Sequence, residues 1–487
     1  MPLDPDACYR ALVAHDVRFD GAFFVGVKTT GIYCRPVCRA RTPRRERCEF
    51  FPRAALAEQA GFRACFRCRP ERAPGHASVD AVSRLVASAA RSIDEGALNR
   101  GSVEQLARTL GVSSRHLRRA LQEELGVGPL ELALSKRIAL ARELLRGTSL
   151  PMAEIALASG FSSLRRFNAA YRTSQGMAPS ELRRPNQSAP TNGSTLRVVL
   201  DVRPPFNAET AFEFLRARSV PGLDAVTEGG YVRAAAFGDQ VGTVSVRADP
   251  ELSALVVEVS PTLGPSLMSV VARVRRVFDT DADPAAIDAH LAKDPLLRQH
   301  VRARPGVRVM GAFDPFEWAV RAVLGQQISV RAALTIAGRL VEKIGQPLTP
   351  AANAPGVRFA WPNAARLADV SEPTLTSLGL TRARAQTVLR LARAVAEGSL
   401  NLDRSADPET TRSALLALPG IGPWTATYIE LRALGVPDAF PAGDLGLRKA
   451  LGGLSTADCE GRSQAWRPWR AYAATQLWLG LSHQTAG

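Results

Sequence analysis

Four cysteines near the start of the chain could bind a metal ion. They form two close pairs, Cys34 with Cys38 and Cys65 with Cys68, with 26 residues between the pairs. Four thiolates at this spacing suit a tetrahedral zinc site, because thiolates are among the ligands that Zn²⁺ prefers in proteins. The spacing therefore predicts one Zn²⁺ bound by these four cysteines, with buried structural thiols as the alternative.

A second group of residues combines a phosphate-binding turn, aromatic rings and a carboxylate. The glycine-rich turn Leu418–Gly422 separates two helical patterns, and its backbone N–H groups would face outward at a helix N-terminus, where a phosphate can accept hydrogen bonds. Trp424 and Tyr428 follow the turn, and Asp444 comes 20 residues after Trp424. A helix C-cap followed by an ordinary loop carboxylate is the alternative interpretation.

The stretch from Leu418 to Asp444 resembles the helix-hairpin-helix and catalytic-aspartate signature of base-excision DNA glycosylases. The surrounding residues resemble the alkyladenine branch of that family, the AlkA-like 3-methyladenine DNA glycosylases II. The resemblance implies that Gly420 and Gly422 contact DNA and that Asp444 is catalytic. Gly443 stands where the family often has a second aspartate, so a single carboxylate is available here.

The same resemblance implies an aromatic pocket for a flipped base. Trp424, Tyr428 and Trp478 match the pocket residues of the family, although core packing is the commoner fate of such rings. Alkylated purines of the 3-methyladenine and 7-methylguanine class are cations, which the faces of aromatic rings attract. When such a base leaves, positive charge develops on the sugar, and the carboxylate of Asp444 would stabilise it and align the attacking water.

Two further residues bear on the type of glycosylase. Gln327 stands where the resembled enzymes often have an apolar wedge; because it is polar, we expect it to contact DNA without assigning it the wedge role. Members that also cut the DNA strand have a lysine just after the hairpin, where this chain has Trp424. We therefore expect a monofunctional glycosylase. We also expect no iron–sulfur cluster, because Cys459 is the only cysteine beyond Cys68.

The residues around the two cysteine pairs resemble the N-terminal domain of Ada-type adaptive-response proteins. The matching segments are DGAFFVGVKTTGIYCRPVCRARTPRRERCEFF and AGFRACFRCRP. In that family a zinc-bound thiolate irreversibly takes a methyl group from a methyl phosphotriester in DNA. The resemblance implies that Cys34 is the acceptor, whereas spacing alone does not choose among the four cysteines. Methylating one of four thiolates would change the charge of the site from −2 to −1 and reduce its repulsion from DNA phosphates.

Two similar helical units follow the cysteine-rich segment. Each contains a tight turn before a basic helix, and we expect these helices at about Ser114–Glu123 and Ser163–Arg172. Two such units joined by a helix at about Glu131–Leu145 resemble the AraC/XylS double helix-turn-helix, with a plain helical bundle as the alternative. The side chains expected to enter the major groove are Arg115, Arg118, Arg119, Arg165, Arg166 and Asn168.

The charge distribution agrees with a DNA-binding chain. The 487 residues have a net charge of +16, of which residues 1–80 contribute +5 and residues 81–186 contribute +7. This concentration of basic residues is typical of a nucleic-acid-binding half. No apolar run is long enough for a membrane span, and the N-terminus lacks the pattern of a signal peptide. We therefore expect a cytoplasmic protein with no membrane partner.

These patterns predict a multidomain, mainly α protein. It should contain a small zinc-bound α/β domain, an all-α double helix-turn-helix, a small α+β lobe and an all-α helix-hairpin-helix glycosylase domain. The expected segments are the zinc methyl-acceptor domain at 1–78, the double helix-turn-helix at 80–184, a polar linker at 185–194, the α+β lobe at 195–279 and the glycosylase domain at 280–487.

The resemblances together predict an alkylation-damage response protein. It would join a methyl-phosphotriester-sensing transcription regulator to a DNA glycosylase that excises alkylated purines. Its expected partners are double-stranded DNA, as promoter and as lesion, and RNA polymerase at the promoter. One alternative is a methylation-activated regulator whose glycosylase half serves only for DNA binding. A second alternative is a zinc-responsive regulator that repairs nothing, which methyl transfer to Cys34 would exclude.

Overall fold

The structure is a computed structural model of the chain. It describes residues 3–73, 84–148, 150–182, 195–249, 251, 253–349, 354–403 and 405–484. The predicted linker at 185–194 and the predicted boundary between residues 78 and 80 lie outside these residues. The chain divides into two compact units. The first comprises Met1–Pro204, Val246–Ala272 and Thr280–Ala282, and the second comprises Pro205–Ser245, Arg273–Asp279 and Asp283–Gly487.

A small α/β domain forms the start of the first unit, as the sequence predicts. Its elements are α1 (Pro5–Val13), β1 (Phe24–Val27), β2 (Ile32–Cys34), β3 (Cys48–Phe51), α2 (Ala54–Gln59) and β4 (Arg63–Ala64). The strand order is β3-β1-β2-β4, in which β1 is antiparallel to both neighbours and β4 is parallel to β2. Gly26 on β1 is required for packing, because a Cβ atom there would lie 2.9 Å from the rings of Phe51 and Phe62.

Eight helices follow among the described residues of the first unit and form the predicted double helix-turn-helix. They are α3 (Arg84–Asp94), α4 (Ala97–Arg100), α5 (Val103–Thr109), α6 (Ser114–Leu125), α7 (Pro129–Gly147), α8 (Met152–Ala158), α9 (Leu164–Gln175) and α10 (Pro179–Leu182). Serine side chains cap three of them. Ser102 forms a capping box with Gln105 at the start of α5, and Ser113 and Ser163 cap α6 and α9. In both copies of the motif, a serine N-cap thus marks the start of the second helix.

A five-stranded sheet and two helices make up the predicted α+β lobe. The elements are β5 (Leu196–Asp201), α11 (Ala208–Arg216), β6 (Asp224–Thr227), β7 (Gly230–Phe237), β8 (Gln240–Asp249), β9 (Ala254–Val259) and α12 (Leu267–Val277). The strand order is β5-β9-β8-β7-β6, and β5 pairs antiparallel with β9 from Leu196 opposite Val259 to Asp201 opposite Ala254. The alternating sequence segments predicted β5, β8 and β9, whereas β6 and β7 were not singled out.

The part of the chain after α12 is mainly helical in its described residues, as predicted, with one short two-stranded sheet. Its elements are α13 (Pro284–Leu291), α14 (Pro295–Ala303), α15 (Pro315–Leu324), α16 (Val330–Ile344), β10 (Gln346–Pro347), β11 (Phe359–Ala360), α17 (Ala364–Ala368), α18 (Glu372–Ser377), α19 (Arg382–Ala396), α20 (Pro408–Leu416), α21 (Pro423–Ile429), α22 (Leu445–Ala450), α23 (Thr456–Ser463) and α24 (Arg470–Gln484). An aspartate cap followed by proline starts four of them, α13, α14, α15 and α20. Within the part of the chain that is described, no helix is both long and apolar enough to cross a bilayer.

Candidate functional site

The sheet of the first domain brings the two cysteine pairs together. β2 ends at Cys34 and β4 ends just before Cys65, and the parallel pairing of Tyr33 with Ala64 places both cysteines at the same end of the sheet. The Sγ atoms of all four predicted ligands lie within 4.8 Å of one another. Zinc–sulfur bonds of about 2.3 Å in a tetrahedral site place sulfur atoms roughly 3.8 Å apart, so these four thiols fit Zn²⁺.

Hydrogen bonding distinguishes Cys34 from the other three cysteines. Backbone N–H groups donate to the sulfur atoms of Cys38, Cys65 and Cys68, at 3.4 Å for the last two. Among the described residues, no backbone N–H group donates to Cys34. Burial does not separate the candidates in the same way, since Cys34 and Cys65 are each 8% exposed. Because a hydrogen bond draws charge away from a thiolate, these backbone contacts would weaken Cys38, Cys65 and Cys68 as nucleophiles more than Cys34.

Buried ion pairs surround the cysteine cluster. Arg35, the residue after Cys34, is 6% exposed and pairs with Asp20 and, at 2.5 Å, with Asp201 on β5. The segment that carries Cys34 is therefore joined by a buried ion pair to the first strand of the α+β lobe. Sequence reasoning missed this contact, because Arg35 and Asp201 are 166 residues apart and nothing in the sequence relates the two.

A second buried ion pair joins the cysteine domain to the helix-turn-helix module. The carboxylate of Glu71 is 1% exposed and lies 2.9 Å from Nη1 of Arg142 on α7, whose side chain is 2% exposed. We expect Glu71→Gln to destabilise the first unit by about 3–5 kcal/mol, because it leaves a buried guanidinium without its charge partner. Urea unfolding of the full chain would measure this loss. Glu123→Gln is the matched control, since Glu123 lies 3.8 Å from Arg119 at an exposed site, where a pair contributes about 0–1 kcal/mol.

The predicted recognition helices are present and carry the predicted basic residues. α6 begins at Ser114, as expected, and α9 begins at Leu164; each runs two or three residues past its predicted end. Of the six predicted DNA contacts, Asn168 is half-buried and the other five are exposed: Arg115, Arg118, Arg119, Arg165 and Arg166. The side chain of Arg118, on α6, lies 2.9 Å from the carboxylate of Glu104, on α5. The major-groove role of these residues remains a proposal.

The glycine-rich turn of the second unit joins α20 to α21. Gly420 has a φ of 96°, and a Cβ atom there would lie 2.0 Å from Oγ1 of Thr387, so this position requires glycine. Gly422 forms the N-cap of α21, and both glycines are exposed. The turn is therefore a helix-hairpin-helix with accessible backbone at a helix start, which is the arrangement that can accept a DNA phosphate.

Asp444 lies at the start of α22 and accepts three hydrogen bonds. The indole N–H of Trp424 donates to Oδ2 at 3.0 Å, the indole N–H of Trp478 donates to Oδ1 at 2.9 Å, and the backbone N–H of Leu447 also donates to Oδ1 at 2.9 Å. Three N–H donors on two oxygens fix the carboxylate in one orientation. An ionised carboxylate has about four acceptor sites, so capacity remains for a water molecule.

The three predicted pocket rings form one cluster beside this carboxylate. Trp424 and Tyr428 are stacked, with ring centres 5.2 Å apart and planes 7° apart, and Trp478 meets Tyr428 edge to face at 6.4 Å. The structure thus brings together Asp444 and all three rings predicted from the sequence. Two of the rings also hold the carboxylate in place, which the sequence did not predict.

Two adjacent glutamines lie between α15 and α16. Gln326 donates from Nε2 to the carbonyl of Gly420 at 2.9 Å and to Oγ1 of Thr425 at 3.1 Å, so it fixes the hairpin turn. Gln327 is exposed and has a φ of 55°, a backbone conformation that non-glycine residues rarely adopt. Strained residues of this kind cluster at ligand-binding sites, which agrees with the predicted DNA contact at Gln327. Sequence reasoning did not single out Gln326, because nothing in the sequence relates it to a turn 94 residues away.

The fold and the two sites define a class of protein: a helix-hairpin-helix DNA glycosylase joined to a four-cysteine metal-binding domain and a double helix-turn-helix. Four family profiles match this arrangement. They are the metal binding domain of Ada (residues 7–71), a helix-turn-helix domain (106–185), the AlkA N-terminal domain (197–314) and the HhH-GPD superfamily base excision DNA repair protein (320–465).

The chain belongs to the family of bifunctional transcriptional activator/DNA repair enzymes of the fused Ada and AlkA type. It is 42% identical to the "probable bifunctional transcriptional activator/DNA repair enzyme AlkA" of Mycobacterium tuberculosis (strain H37Rv), over 99% of this chain and 97% of that protein. It is also 31% identical to DNA-3-methyladenine glycosylase 2 of Escherichia coli K12, over 57% of this chain and 95% of that protein. A solved 3-methyladenine DNA glycosylase from Archaeoglobus fulgidus shares the fold of the glycosylase half, with a TM-score of 0.51, 22% identity, and coverage of 58% of this chain and 97% of that chain.

Proposed function

We propose that Asp444 catalyses excision of alkylated purines from double-stranded DNA and that Cys34 accepts a methyl group from a methyl phosphotriester. The observation that carries the first assignment is the carboxylate of Asp444, held by the indoles of Trp424 and Trp478. The second is supported by the four converging thiols, of which Cys34 alone receives no backbone hydrogen bond among the described residues. The family relationship supports DNA as the partner of both halves.

In the proposed excision, the exposed hairpin turn binds a backbone phosphate beside the lesion, and Gln327 contacts the duplex where the base leaves the stack. The alkylated base rests against the ring cluster. As the N-glycosidic bond breaks, its electron pair stays with the base and positive charge develops on the sugar. The fixed carboxylate of Asp444 stabilises that charge and aligns a water molecule. The oxygen of this water bonds to the sugar carbon, and its proton passes to the carboxylate and from there to solvent.

In the proposed methyl transfer, the sulfur of Cys34 attacks the methyl carbon of the phosphotriester. The bond between methyl carbon and oxygen breaks, its electron pair returns to the phosphate oxygen, and Cys34 becomes a thioether. Zn²⁺, when bound by Cys34, Cys38, Cys65 and Cys68, keeps these thiols deprotonated at neutral pH. Because a thioether is a poor leaving group, the transfer occurs once per protein molecule.

The change of charge at the cysteine cluster supplies a regulatory signal. Methylation removes one negative charge from a site that faces DNA phosphates, so we expect the methylated chain to bind its promoter severalfold more tightly than the unmodified chain at low salt. The difference should narrow as ionic strength rises, because salt screens exposed charges. A salt titration of both forms on one promoter duplex measures this difference in affinity, and equal affinities at every salt concentration would exclude the electrostatic switch.

We further propose RNA polymerase as the promoter partner and the cytoplasm as the place of action.

Base release with an intact DNA strand tests the proposed function. No lysine occurs between Lys343 and Lys449, so no amine stands directly after the hairpin, where a Schiff base with the sugar would form. We expect the full chain to release 7-methylguanine from a duplex, to leave an abasic strand, and to form no covalent complex when borohydride is present. A trapped complex would overturn the assignment of water as the nucleophile. No base release at all would favour a regulator whose glycosylase half serves only for DNA binding.

A further inference from the structure

A buried arginine lies among the rings of the candidate base pocket. Arg432 is 2% exposed, and the π-helical turn Glu430–Leu434 carries it into the interior of the second unit. Its guanidinium carbon lies 4.5, 5.5 and 6.0 Å from the ring centres of Phe214, Trp478 and Tyr428. A fixed positive charge is thus in contact with two of the three rings predicted to receive the flipped base.

Among the described residues, no carboxylate forms an ion pair with this arginine. Nη1 of Arg432 donates to the carbonyl of Met310 at 2.8 Å, whereas its buried Nε has no hydrogen-bond partner in the described part of the chain. Burial lowers the pKa of Arg432 to about 10, so the side chain is still a cation at neutral pH. A buried, unpaired charge is costly, and an apolar side chain of similar volume would stabilise the core better. Packing therefore does not explain a cation at this position.

A second cation strengthens the same field. The guanidinium carbon of Arg218 lies 4.1 Å from the ring centre of Phe214, the ring that Arg432 also contacts. Burial alone would raise the pKa of Tyr428, but the positive charges of Arg432 and Arg218 outweigh it and lower that pKa below its usual value. Two cations therefore lie against the rings where the flipped base is expected to bind, on which the carboxylate of Asp444 also acts.

The effect of these cations on excision depends on the charge of the base that leaves. A cationic base such as 7-methylguanine leaves as a neutral molecule, and a nearby cation opposes its binding. An uncharged lesion base leaves with the electron pair of the glycosidic bond as an anion, which a nearby cation stabilises as it forms. The water that attacks the sugar supplies a hydroxide to the sugar carbon, and its remaining proton ends on the departed base.

We propose that Arg432 is a specificity-determining residue that favours release of uncharged lesion bases relative to cationic ones. The inference rests on the proposed glycosylase function and extends its substrates to bases that leave as anions. Aromatic stacking would then bind both kinds of base, while the cation behind the rings sets the preference between them.

The test compares two duplexes, one with a single hypoxanthine as the uncharged lesion and one with a single 7-methylguanine. Single-turnover base release from both is measured with enzyme in excess but below saturation, so that binding of the base contributes to the rate, for the full chain and for Arg432→Met and Arg432→Lys. We expect Arg432→Met to lower hypoxanthine release about tenfold or more relative to 7-methylguanine release. We expect Arg432→Lys, which retains the charge, to keep the ratio close to that of the unmodified chain. General damage to the fold would lower both rates in proportion.

A further variant keeps the test decisive if Arg432→Met does not fold. Arg218 is half-buried, and Arg218→Gln should shift the ratio in the same direction by a smaller factor. An unchanged ratio in every folded variant that lacks one of these charges, or no hypoxanthine release by the unmodified chain, would overturn the role of Arg432. Absence of 7-methylguanine release by the unmodified chain would instead overturn the proposed function.

Discussion

Replacing Asp444 with asparagine should lower single-turnover base release by about a hundredfold or more while DNA binding persists. The carboxylate is the only charged group that we assign to the developing charge on the sugar. Asparagine has nearly the same shape and is an equally good helix N-cap, so α22 should still form. Its amide, however, has one oxygen, whereas Asp444 accepts indole hydrogen bonds on two.

The matched control for this variant is Asp458→Asn. Asp458 is an exposed carboxylate on α23 whose side chain contacts Ser455, and its replacement should leave base release unchanged. DNA affinity is measured in parallel on the lesion duplex. Near-normal release by Asp444→Asn, or equal losses in both variants, would mean that another group stabilises the sugar cation.

Replacing Cys34 with serine should abolish methyl transfer to the protein. Serine offers a hydroxyl in place of a thiolate, and no other described cysteine sulfur in the cluster is free of backbone hydrogen bonds. Intact-mass measurement after incubation with methylated duplex should show one added methyl group on the unmodified chain and none on Cys34→Ser.

Cys48→Ser serves as the control for this prediction. Cys48 is buried in the same apolar cluster as the four ligands but is not one of them, and burial raises the pKa of its thiol. A thiol kept protonated is a poor nucleophile, so the variant should accept one methyl group as the unmodified chain does. Measuring zinc in both variants separates loss of the metal from loss of the acceptor. A methyl group found on Cys8 or Cys48 would contradict the assignment.

Features with a local sequence signal were predictable. The cysteine spacing predicted a cluster that the structure confirms, because strand pairing needs only to bring two short segments to one end of a sheet. Both recognition helices start within one residue of the predicted position, because a serine cap marks each start in the sequence. The hairpin turn was predictable for the same reason, since Gly420 needs a positive φ.

Features that depend on distant residues were not predictable. The indole hydrogen bonds to Asp444 join residues 20 and 34 positions apart, and they depend on how α21, α22 and α24 pack. Arg432 was missed because the sequence pattern around it is that of an ordinary helix, whereas the structure has a π-helical turn there that buries the charge among rings. Neither contact follows from helical periodicity.

One chain is proposed both to accept a methyl group and to remove alkylated bases. The most direct test is a single incubation of the full chain with a methylated duplex, followed by mass spectrometry of the protein and of the DNA. We expect one methyl group on Cys34 and on no other residue, together with free alkylpurine and abasic sites in an unbroken strand. A protein without the added methyl group, or a duplex that retains all of its alkylated bases, would contradict this proposal.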